Sequence, residues 1–134
     1  MPMEVSYEGG DRFTLTVRGH DVVMDQPRDV GGEDDGATPT ELFIGTIAAC
    51  VGFYAERFLR RHDLSPEGLR IEVDFDMADE RPARVRTIDI RVVAPSLPEE
   101  RRAAFERVID HCTLHNTLRD PPQVHIDVVE PARA

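Results

Sequence analysis

The sequence contains no lysine and no tryptophan, only two cysteines, and aromatic residues at 6%. Without lysine, Schiff-base catalysis is excluded. Positive charge is scarce as well: 16 arginines stand against 26 acidic residues, for a net charge of -10 and a pI near 4.9. Such a surface repels phosphate backbones and anionic lipid heads, so neither nucleic acid nor a membrane is an expected partner. No run approaches the roughly 18 uninterrupted apolar residues of a membrane span, and the opening MPMEVSYEGG has neither a basic nor an apolar leader region. A cytoplasmic location is therefore expected. There, two cysteines are more often catalytic, redox-active or metal-binding than a structural staple.

What is present is a globular composition, with 40% apolar and 31% charged residues and a mean hydropathy of -0.37. The 134 residues suit one domain, 1–134. A chain of this size buries only about two-thirds of its unfolded surface alone, which favours covering a long apolar segment by association.

Alternation from Val5 to Asp25, broken by turns at Gly9-Gly10-Asp11 and Arg18-Gly19-His20-Asp21, predicts two or three antiparallel strands. The acidic, glycine-rich stretch from Pro27 to Pro39 has no periodicity and reads as an exposed loop. Thr38-Pro39-Thr40-Glu41 opens a helix, with Thr38 as cap, Pro39 in the first turn and Glu41 completing a capping box. From Leu42 to Phe58 that helix carries no charge before Glu56, so it belongs in the middle of the fold or in a subunit interface. Strict alternation from Leu69 to Met77 and again from Val85 to Val93, around Arg81-Pro82-Ala83, predicts a hairpin with one dry and one charged face. A second helix from Ser96-Leu97-Pro98 places Ala104, Val108, Ile109 and Cys112 on one face, and a short helical turn follows through Thr113 to Leu118. Val124, Ile126 and Val128 alternate as a final strand. The expected class is α+β, an antiparallel sheet packed on two long helices.

Chemistry centres on Cys50 and Cys112. Either one alone reads as a small buried hydrophobe. Set on the two long helices of one small domain, the thiols can come within disulfide reach. A thiolate is a strong nucleophile toward a peroxide O–O bond where a cation stabilises it, and a second thiol can resolve the resulting sulfenic acid. Without lysine that cation is arginine or histidine. Arg12, Arg18, His111 and His115 are the candidates, and spacing does not choose among them. A metal site made of Cys50, Cys112, His111 and His115 is a weaker alternative, since neighbouring residues on a helix diverge. A third reading is a non-catalytic module holding an apolar ligand at a dimer interface.

The run Gly36-Ala37-Thr38-Pro39-Thr40-Glu41-Leu42-Phe43-Ile44-Gly45-Thr46-Ile47-Ala48-Ala49-Cys50 resembles the signature of the OsmC/Ohr family, the osmotically inducible and organic hydroperoxide resistance proteins. So do His20 to Pro27 followed by Gly31-Gly32, and Cys112 to Leu118 leading into Val124 to Val128. The resemblance implies an OsmC-like fold, an intertwined homodimer, and a thiol peroxidase that reduces organic hydroperoxides with a lipoyl-type dithiol as reductant, in defence against oxidative stress. It needs no cofactor. By the same resemblance Cys50 matches the peroxidatic thiol and Cys112 the resolving thiol. The activating arginine matches Arg12, which follows Gly9-Gly10, with Arg18 second. The family's arginine-holding glutamate falls on Thr40, one residue before Glu41, and the proline after its second cysteine falls on Thr113.

Overall fold

The computed structural model describes residues 2–131. Three antiparallel strands open the chain, β1 (Glu4–Tyr7), β2 (Phe13–Val17) and β3 (His20–Met24), in that order across the sheet. Gly9 and Gly10, both at positive φ, make the first turn. The register pairs Val5 with Leu15 and Leu15 with Val22, and Tyr7 with Phe13 and Phe13 with Met24. Cross-strand partners share a face, so these apolar side chains line one side of the sheet. That side is uncovered: Val5, Tyr7, Phe13 and Val22 are exposed, and the sheet packs little against the rest of the chain.

The acidic loop that follows is ordered around one buried carboxylate. Asp25 is 1% exposed and accepts backbone N–H groups from Gln26 at 2.7 Å, Asp35 at 3.1 Å and Glu33 at 3.3 Å. The loop folds back closely enough that a Cβ at Gly32 would collide with the Gln26 carbonyl, and one at Gly36 with the Val23 carbonyl.

Helix α1 (Pro39–Arg61) starts as its residues dictate. Thr38 Oγ1 accepts from the Glu41 N–H at 3.0 Å, and Glu41 Oε1 accepts from the Thr38 N–H at 2.9 Å, closing the capping box. By length and composition α1 could cross a membrane. In this fold it is the core helix, burying Ile44, Ile47, Ala48, Val51, Ala55, Phe58 and Leu59 along one side. The opposite side, with Phe43, Thr46, Ala49 and Phe53, is exposed in the single chain.

Strands β4 (Arg70–Met77) and β5 (Val85–Val93) form the predicted hairpin. Ile71 pairs with Val92 and Val73 with Ile90 toward α1, while Glu72 pairs with Arg91 on the charged face. Gly52 lets the helix approach β4, since a Cβ there would stand 3.1 Å from Ile71 Cγ1. Phe105 from α2 (Arg102–Asp110) completes the core with Ala55, Phe58 and Leu59, its ring edge-on to Phe58.

Two expectations change. The second helix is shorter than expected: a 3-10 turn at Glu99–Arg101 precedes α2, which ends at Asp110, so that Cys112 instead caps the expected short helix α3 (Thr113–Arg119). The expected final strand does not form within one chain. Residues 121–131 carry no secondary structure, and Val124, Ile126 and Val128 stand 77%, 86% and 99% exposed. A strand needs a neighbour to satisfy its ladder, and none is supplied among the described residues.

Candidate active site

Cys50 lies midway along α1, half-buried, and Cys112 lies in the break between α2 and α3, fully buried; both are free thiols. The break has a chemical consequence. As the residue that caps α3, Cys112 places its Sγ 3.4 Å from the His115 backbone N–H, which donates to it. Burial pushes the Cys112 thiol up, the backbone N–H groups of His115 and Leu114 pull the other way, and the adjacent Cys50 thiol adds to the upward push. The two thiols thus act on each other's charge, one with access to solvent and one sealed. One turn beyond Cys50, the Tyr54 hydroxyl lies 2.9 Å from Thr113 Oγ1, tying α1 to the start of α3 beside the pair.

The other candidates sit elsewhere. Arg12 Nη1 donates to Asp35 Oδ2 at 2.6 Å and Nη2 to the Glu8 carbonyl at 3.2 Å, and among the described residues no bond joins it to either thiol of its own chain. Arg18 stands at the β2–β3 turn with φ of 50°. Glu41 is occupied by the capping box. His115 Nδ1 lies 3.9 Å from Asp110, which Arg119 also holds. Among the described residues no three His, Cys, Asp or Glu side chains gather as a metal site, so the metal reading of Cys50, Cys112, His111 and His115 finds no support. A largely apolar cavity of about 330 Å³ opens between α1, β5 and the α2–α3 region, walled by Ile47, Val51, Ile88, Ile90, Ile109 and Leu118, with Glu106, Asp110 and His115 as its polar side chains.

Sequence reasoning missed Asp25 and Asp35. The Arg12–Asp35 bond spans 23 positions and has no local signal. Asp25 had one, an acidic residue just ahead of a glycine-rich loop whose N–H groups need acceptors.

Residues 32–127 match the family described as OsmC-like protein. The chain belongs to the OsmC-like family. No curated protein sequence matches it. Among solved structures, this OsmC-like chain is similar to an osmotic stress induced and detoxification response protein of Psychrobacter arcticus, at TM-score 0.77 and 22% identity over 86% of this chain and 85% of that one. It is also similar to the organic hydroperoxide resistance protein OhrB of Bacillus subtilis, at TM-score 0.62 and 18% identity over 90% and 93%. A third likeness is to an organic hydroperoxide resistance protein of Legionella pneumophila, at TM-score 0.60 and 18% identity over 89% and 90%. At these identities the likenesses establish the OsmC-like fold.

Proposed function

We propose that this protein is a thiol peroxidase that reduces organic hydroperoxides in oxidative-stress defence. The observation that carries the reading is a half-buried Cys50 on α1 and a sealed Cys112 at the start of α3 whose thiol responds to the Cys50 charge. The Cys50 thiolate attacks the distal oxygen of the hydroperoxide; the O–O bond breaks, an S–O bond forms, and the alkoxide leaves with a proton as the alcohol. Cys112, kept as a thiol by its burial, then attacks the Cys50 sulfenic acid, forming the disulfide and releasing water. A dithiol reductant, of lipoyl type by family resemblance, returns both cysteines to thiols and is itself oxidised to a disulfide. The apolar wall of the 330 Å³ cavity suits an alkyl or fatty-acid hydroperoxide over hydrogen peroxide.

The working unit of this reading is an intertwined homodimer. Three surfaces support it: the bare apolar face of the β1–β3 sheet, the uncharged exposed side of α1, and the unpaired alternating segment from Val124 to Val128. In that dimer Arg12 serves the thiol of the other protomer, because its own sheet packs little on its own α1, and Asp35 rather than Glu41 is the carboxylate that holds it.

The same cavity favours a second reading, an apolar-ligand module whose thiols are merely buried. Counting free thiols before and after one equivalent of cumene hydroperoxide separates the two. The peroxidase loses both thiols and yields one equivalent of alcohol, whereas the binding module keeps both.

A further inference from the structure

A groove of about 380 Å³ runs between the C-terminal half of α1 and α2. Its aromatic floor is Phe53, Tyr54 and Phe58, and its rim carries Arg57, Arg61 and Arg107. In a chain with ten more acidic than basic residues, no carboxylate lines this groove. Among the described residues Arg12, Arg60, Arg70, Arg84, Arg86, Arg91, Arg102 and Arg119 are drawn into ion pairs with that surplus. Arg57, Arg61 and Arg107 have no such partner among the described residues. Arg57 is further committed: its guanidinium stands 4.5 Å over the Phe53 ring, and its Nε is buried without an acceptor. A buried donor with no acceptor costs free energy that a bound anion would return.

We infer that this groove binds a small carboxylate with an apolar tail, its head on the Arg57, Arg61 and Arg107 rim and its tail along Phe53, Tyr54 and Phe58. Charge chooses the head, because guanidinium forks match a planar carboxylate. The aromatic floor chooses the tail, and the volume lies at the low end of small-molecule pockets, about 300–1,000 Å³. The site shares no lining residue with the 330 Å³ cavity, and it needs no thiol chemistry, so it stands or falls independently of the peroxidase reading. The uncharged side of α1 proposed for dimerisation ends where this groove begins, with Phe53 at the boundary.

Calorimetric titration of the reduced protein with decanoate, methyl decanoate and inorganic phosphate tests the inference. Decanoate should bind, and the ester and phosphate should each bind about tenfold more weakly or worse, since each lacks one of the two recognised features. Arg61 and Arg107 are exposed, so Arg61→Gln/Arg107→Gln should fold and lose at least about tenfold in decanoate affinity, while Arg101→Gln, outside the groove, should match the parent. Absence of decanoate binding, equal binding of the ester or of phosphate, or an unchanged Arg61→Gln/Arg107→Gln protein would overturn it.

Discussion

Arg12 and Glu41 show how one long-range contact reassigns two side chains. Arg12 is bound by Asp35, from the loop ahead of α1, and Glu41 spends its carboxylate on the Thr38 N–H at the helix start. If Arg12 supplies the positive charge that favours the attacking thiolate, Arg12→Ala should slow the first turnover of peroxide by at least about tenfold. Arg102→Ala, which removes only an exposed pair with Glu106, should leave that rate unchanged in a stopped-flow assay. Glu41→Ala should behave in the opposite way. Loss of half the capping box costs about 1 kcal/mol of stability, read in denaturant unfolding, with peroxide turnover intact. Both cysteines could be found in the sequence because each lies in a recognisable local context. The partner of Arg12 could not, because residues far apart in the chain leave no mark on each other's neighbourhood.

The loop between β3 and α1 is held by the carboxylate of Asp25. The N–H of Asp35 is the chief cause that its pKa lies below the ordinary 3.8; burial opposes this, and the N–H groups of Gln26 and Glu33 and the charge of Arg12 reinforce it. Because the folded value is the lower one, this stabilisation is complete above the unfolded value and is lost as pH falls through the folded one. Asp25→Asn should therefore melt several degrees lower at neutral pH and lose less on acidification than the parent, as thermal melts from neutral pH to about pH 3 would show. Elements governed by local rules were legible in advance: α1 from its capping box and unbroken apolar run, the β4–β5 hairpin from strict alternation. The end of α2 at Asp110 was not, because Ala104, Val108, Ile109 and Cys112 keep a helical spacing past it, although the short helix after Cys112 was. The unpaired tail was also invisible, since alternation in Val124, Ile126 and Val128 encodes a strand but not the chain that pairs with it.

The single chain exposes apolar surface on the β1–β3 sheet, on α1 and along the terminal segment. In the proposed homodimer the bare face of the β1–β3 sheet, Phe43 on α1 and the terminal segment would be covered by the second copy. Sedimentation at micromolar protein should accordingly give twice the chain mass of 15.1 kDa, and a stable species at that single mass would contradict the intertwined arrangement. The peroxidase account rests in the end on two thiols acting in a fixed order, and mass spectrometry of Cys50→Ser and Cys112→Ser after one equivalent of cumene hydroperoxide tests that order most directly. Cys50→Ser should take up no oxygen and consume no peroxide, since a serine hydroxyl has no anion population at neutral pH. Cys112→Ser should consume one equivalent, stop with a sulfenic or sulfinic acid on Cys50, and fail to turn over. Single-turnover reactivity in Cys50→Ser, or full turnover in Cys112→Ser, would contradict the account.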